Sequence, residues 1–192
     1  MLDVLHRVED DLPDLLREGV DAWQSLDINY EPPRVQRLWR SYSCEGVGPA
    51  RIATGESVRI YLHRIFPCAQ ALYHPHPWPS AIRIITGRYE MGLGFSETYQ
   101  LPNIMRADRE VARVILGPGN QYEMVNPAGW HYVKALGEPS LSVMVTLRPW
   151  EPPLFDHNLF GKAADLQPLT PEVKAELHAK FAEEYHYWRA NQ

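Results

Sequence analysis

Ser57-Val58-Arg59-Ile60-Tyr61-Leu62-His63-Arg64-Ile65-Phe66 alternates apolar and polar side chains, as a half-buried strand does. The same period of two recurs over residues 81–86, 88–95, 111–116, 121–125, 131–135 and 141–147. Gly117-Pro118-Gly119-Asn120, Asn126-Pro127-Ala128-Gly129 and Gly137-Glu138-Pro139 punctuate these runs. Seven or more short strands, with a turn about every ten residues, predict an all-β body folded as a sandwich or barrel. Proline agrees: 17 of the 192 residues are proline, and prolines are excluded from helix interiors and central strands.

Outside that body the period changes. Leu5, Val8, Leu12, Leu15, Leu16, Val20 and Trp23 recur at helical steps, and Asp11 before Pro13 predicts a break into two short helices. Thr170-Pro171-Glu172 opens a second helical region, in which Val173, Leu177, Phe181, Tyr185 and Trp188 form one docking stripe. The whole of 1–192 reads as one domain: N-terminal helices over 1–30, the barrel over 50–150 and a C-terminal helix over 170–190.

Composition narrows the partners. Hydrophobic residues are 45% and charged residues 22% of the chain, which excludes a mainly disordered protein. A formal charge of −5 argues against nucleic-acid binding, which needs a dense basic surface. No apolar run approaches the ~18 residues of a membrane span, and the start meets acids at once instead of a signal core. Cys44 and Cys68 form no framework, so both are expected to be reduced thiols in a cytoplasmic protein. Strand alternation and two apolar-striped ends suit a homodimer.

The histidines carry the chemistry. His74 and His76 stand two apart in Tyr73-His74-Pro75-His76-Pro77-Trp78-Pro79, where the prolines favour extended backbone and both imidazoles share one face. His131 follows the turn at Pro127-Ala128-Gly129, which can bring it back to face the pair. Three imidazoles would leave coordination positions open on an ion, as a catalytic site requires. Proton competition should weaken metal binding below pH ~6.5.

Two motifs resemble those of the cupin superfamily, over roughly residues 55–150. The first is His74-Pro75-His76, a three-residue gap, Ser80, six residues, then Gly87. The second is Pro127-Ala128-Gly129 followed after one residue by His131. Departures are Cys68 and Gln121 at the leading glycine positions, Ser80 in place of a glutamate and Ala135 in place of an asparagine. The resemblance implies a double-stranded β-helix (jelly-roll) barrel and one divalent metal ion held by His74, His76 and His131. Ser80 is too short to be a fourth ligand, and Glu90 and Glu123 are the nearby carboxylates. Three-histidine cupin sites look like those of non-haem Fe(II) dioxygenases acting on thiols, diketones or aromatic acids. Fe(II) is therefore favoured, although imidazole also suits Zn(II) and Ni(II). A cysteine-dioxygenase identity is not implied, because Ser80 and Ala81 occupy the place of the crosslinking cysteine.

The expected substrate is a small organic anion, thiol or enolate. Tyr61, His63, Arg64 and Arg83 are the substrate-binding candidates; Arg51 and Arg59 are further arginines that could grip a carboxylate bidentately. Two other classes fit the same residues. One is a metal-dependent isomerase or lyase, with Tyr61, His63 or Glu123 as base. The other is a non-catalytic small-ligand-binding or sensing cupin.

Overall fold

Among the described residues ten strands pair in two antiparallel sheets, and eight of them have the strand order of a jelly roll. In this computed structural model, which describes residues 1–29, 32–43, 57–95, 110–151 and 166–192, the elements follow in order. They are α1 (Leu2–Arg17), a 3-10 turn (Val20–Ala22), β1 (Gln24–Ile28), β2 (Val35–Ser43), β3 (Ser57–Ile65), β4 (His74–Pro75), β5 (Ser80–Thr86) and β6 (Tyr89–Phe95). There follow β7 (Glu110–Leu116), β8 (Gln121–Met124), β9 (Gly129–Ala135), β10 (Ser140–Thr146) and α2 (Pro171–Ala190). The larger sheet runs β1-β2-β3-β10-β5-β8 and the smaller β4-β9-β6-β7. Stripped of β1 and β2, these are two four-stranded sheets of interleaved order, the double Greek key of a jelly roll. Cys44, Arg51 and His157 lie outside the described residues.

Strand parity divides the larger sheet into two faces. Val58, Ile60, Leu62, Ala81, Ile85, Leu141, Val143 and Val145 face the two helices and form one core with Val4, Leu5, Val8, Leu12, Leu177 and Phe181. Ile65 and Ile84 face the smaller sheet and meet Tyr89, Met91, Val133 and Ala135. The result is three layers: helices, larger sheet, smaller sheet.

Each of the seven runs expected as strands is a strand, and both ends are helical. Two features of the first thirty residues differ from expectation. Residues 24–28 are a strand at the sheet edge, paired to β2 from Gln24↔Trp39 to Ile28↔Val35. And α1 is a single helix with Pro13 inside it. Pro13 has no amide to donate to the carbonyl four residues back, that of Glu9. The Tyr185 hydroxyl of α2 donates to that carbonyl instead, at 2.7 Å. The helix thus runs on because a neighbouring helix satisfies the acceptor that proline orphans. Burial accordingly pushes the Tyr185 phenol above its ordinary range. Tyr185→Phe should cost about 1–3 kcal/mol in urea unfolding, the penalty for an unsatisfied buried carbonyl. A change within ~0.3 kcal/mol would show that Pro13 is accommodated some other way.

α2 starts as expected. Thr170 is its N-cap, accepting from the Val173 amide at 3.4 Å, with Pro171 in the first turn. Among the described residues no helix is long and apolar enough to cross a membrane.

Candidate metal centre

β4 is only two residues long, and its register with β9 pairs His74 directly with His131. Its neighbour Tyr73 points to the opposite, outer side and packs edge-on against Tyr132, ring centres 4.8 Å apart. Room for that pair comes from Gly92 of β6, where a Cβ would overlap the Tyr132 ring and the Tyr73 hydroxyl. Tyr73 also donates to Glu110. The short strand is therefore held by its outer side chain while His74 faces inward.

His76 follows two residues later and closes the group. One ring nitrogen from each of His74, His76 and His131 lies within 4.8 Å of the others. The Nε2 atoms of His76 and His131 are 3.0 Å apart. Two neighbouring ligands on an octahedral ion with bonds of about 2.1 Å would be separated by about 3.0 Å, so this edge already has the length a metal needs. The rings of His76 and His131 stand nearly perpendicular, at 88°. His74 and His76 are half-buried, and His131 is 3% exposed.

The nitrogens facing away from the group are held in part. Nδ1 of His74 donates to the Leu72 carbonyl at 3.2 Å, and Nδ1 of His76 lies 2.9 Å from the Ser80 hydroxyl. The Leu72 carbonyl can only accept, so the neutral His74 ring carries its proton on Nδ1. The same tautomer at His76, with Ser80 accepting, would turn its Nε2 lone pair to the group, as a second bond does for a ligating histidine. Ser80 is thus outside the three-nitrogen group and contacts one of its members, which it would orient toward an ion. Nδ1 of His131 is buried without a partner among the described residues.

Burial is the main cause holding His74 below its ordinary value, opposed by the Leu72 bond. Burial, then the charges of His74 and Arg37, holds His76 well below it. For His131 the causes are burial and then its two neighbours. Neutral imidazoles are what a divalent metal requires. By ligand type, spacing and protonation the three residues fit such an ion.

These shifts fix a sign. Unfolded, each imidazole titrates near pH 6.5. Folded, it takes its proton only at lower pH, so the unfolded chain binds more protons as pH drops below about 6.5. The metal-free chain should hold its stability above that pH and lose it progressively below. Its melting temperature should fall between about pH 7 and 5, and fall less in His131→Ala. Equal profiles for the two chains would mean that this group is not titrating as described. Metal binding by the folded chain, expected from sequence to weaken near pH 6.5, should resist acid further than that.

The substrate-binding candidates separate by strand parity. Tyr61 and His63 lie on the inner face of β3, stacked with ring centres 5.9 Å apart. Arg64 and Arg83 are on the other face and do not reach the histidines. Arg64 makes a two-pronged pair with Glu176 of α2, at 2.7 and 2.9 Å. Arg83 pairs with Glu9 of α1 and donates to the Gly119 carbonyl at 2.9 Å. Arg59 lies over the Trp39 ring at 5.2 Å and is exposed. The two carboxylates are also elsewhere: Glu90 accepts from the Tyr132 hydroxyl at 2.6 Å, and Glu123 meets the Met1 nitrogen at 3.1 Å.

Arg37 of β2 takes the position expected for those arginines. Its Nε donates to Nε2 of His63 at 2.9 Å, and its guanidinium sits 4.7 Å over the Tyr61 ring. Tyr122 of β8, 6.0 Å from His131 ring to ring, and Trp78, stacked on His76 at 5.7 Å, complete the surroundings.

No protein-family model matches the chain, and no curated protein matches it. Solved structures do. KdgF from Halomonas sp. matches at 16% identity over 68% of this chain and 90% of that one, TM-score 0.40. Hydroxypropylphosphonic acid epoxidase from S. wedmorenis matches at 10% identity over 67% of this chain and 57% of that one, TM-score 0.44. Hydroquinone 1,2-dioxygenase from Sphingomonas sp. TTNP3, with 4-hydroxybenzoate bound, matches at 14% identity over 50% and 62%, TM-score 0.40. The jelly-roll strand order and the three-histidine group are what the resemblance of the two motifs to the cupin superfamily implies.

Proposed function

We propose that the chain is a mononuclear-metal enzyme, an Fe(II)-dependent dioxygenase acting on a small organic anion. The observation that supports this reading is the donor set: three neutral imidazoles converge with no carboxylate beside them among the described residues. Bound there, Fe(II) would keep its full charge and supply open positions for a substrate donor atom and dioxygen. The chain's own residues set the rest. Ser80 fixes the His76 ring, Trp78 and Tyr122 wall the group, and the Arg37 guanidinium adds positive charge that draws an anion.

The test is oxygen uptake by the Fe(II)-reconstituted protein against a panel of small thiol, enol and aromatic acids. Uptake coupled to product, and lost in His131→Ala, is the expected result. Product formed without oxygen uptake would replace this reading with isomerase or lyase chemistry, in which the ion polarises a carbonyl. Retained metal with every compound unchanged would leave a binding or sensing protein.

A further inference from the structure

One row crosses the inner face of the larger sheet in a place otherwise built of Ile82, Ile84 and Met144. Arg37 of β2 is the register partner of His63 on β3, and His63 is the partner of Ser142 on β10. Three polar side chains thus stand abreast on three neighbouring strands, facing the smaller sheet. A guanidinium only donates, so Nε2 of His63 is the acceptor of its bond to Arg37 and the neutral ring carries its proton on Nδ1. Ser142 is 1% exposed, and its hydroxyl is buried without a hydrogen-bond partner among the described residues. Ser140, also without a partner, differs in packing against the backbone of Gly87 at the strand's end. The β10–β5 pairing bulges between Leu141 and Ser142, a device that re-aims a side chain.

A buried hydroxyl left unbonded costs free energy, and here it stands one strand from the His63 ring and two strands from the Arg37 cation bonded to that ring. We infer that the Arg37–His63–Ser142 row receives the carboxylate of the substrate, with Ser142 and His63 donating to its oxygens and Arg37 supplying the charge. This rests on the proposed enzyme reading only for the word substrate; the anion site itself is independent of metal. Support comes from His63, which burial and then the Arg37 charge hold well below its ordinary range. His63 shares the inner face of β3 with Ile65, and His131 shares that of β9 with Val133, so the row and the histidine group both face the space between the sheets.

The experiment uses metal-free protein with acetate as probe, against chloride at equal ionic strength, and acetamide as the uncharged control. Acetate should raise the melting temperature saturably, as a ligand specific to the folded state does, and acetamide should not. Ser142→Ala and Arg37→Gln should each weaken the apparent affinity about tenfold. Without acetate, Ser142→Ala should melt no lower than the parent, because it removes a hydroxyl that bonds to nothing. A saturable shift that survives both substitutions, or no shift at all, overturns the assignment. So does a lower melting point for acetate-free Ser142→Ala, which would mean a resident water holds the hydroxyl. Phosphate acting as strongly as acetate would replace carboxylate with a tetrahedral oxyanion and overturn the class. Metal content measured on reconstituted samples of the same chains reports the histidine group separately, so failure of one does not imply failure of the other.

Discussion

His131→Ala should reduce bound metal from one ion per chain to nearly none after dialysis, while the fold persists. Removing a partner that merely orients a ligand typically lowers metal affinity about 10–100-fold, so removing a ligand should exceed about 100-fold. On the proposed assignment His131 is of the ligand kind and Ser80 of the orienting kind, which makes the prediction a graded one. Ser80 touches His76 only through the Nδ1 contact at 2.9 Å. Ser80→Ala should therefore retain weakened binding, and His131→Ala should lie well below it. The fold should tolerate the loss of His131, because its Nδ1 has no hydrogen-bond partner among the described residues. Elemental analysis of each chain, paired with melting curves, checks both halves. Unchanged metal in His131→Ala would remove the assignment; equal losses in the two variants would mean Ser80 does more than orient.

Glu9→Ala should be the most destabilising of the polar substitutions. Glu9 is 3% exposed on α1, and Arg83 reaches it from β5 with Nε and Nη2, the latter at 3.1 Å. The same guanidinium lies 5.3 Å over the Trp188 ring of α2, so three elements meet at one ion pair. Taking away the carboxylate leaves a largely buried cation with only the Gly119 carbonyl as an acceptor among the described residues. The expected loss is about 3 kcal/mol. For a chain of this size that lowers the melting temperature by about 6–12 °C. The double variant Glu9→Leu, Arg83→Met should recover most of it, since replacing both partners with apolar groups avoids the stranded charge. A loss below about 1 kcal/mol for Glu9→Ala would class the pair with ordinary surface bridges.

The body strands and the histidine group were legible because both depend on short-range pattern. Alternation marks a strand wherever it occurs, and the His74–His76 spacing works within one extended segment. The arginines show the limit. His63 and Arg64 are neighbours in sequence, but in a strand they point to opposite faces; the parity that places His63 with Tyr61 places Arg64 with Leu62. Applied strictly, that rule would have removed Arg64 from the candidates. No local rule finds Arg37. Its place beside His63 comes from β2 pairing with β3, a long-range register. β2 itself is hard to see because Arg37, Arg40 and Gln36 interrupt its apolar positions on both faces. Pro13 is a similar case, since its cost is met by a tyrosine that lies 172 positions away in sequence.

β4 and β7 are the outer strands of the smaller sheet, and an outer strand offers its unpaired backbone to any other chain. On the β4 side that offer is withdrawn. Pro75 has no amide hydrogen, and Pro77 and Pro79 repeat the omission at every second residue beyond it. An incoming strand would find no ladder of donors to extend. The prolines that keep His74 and His76 on one side therefore also guard the protein against edge-to-edge aggregation. Replacing them to loosen the site would open a route to self-association.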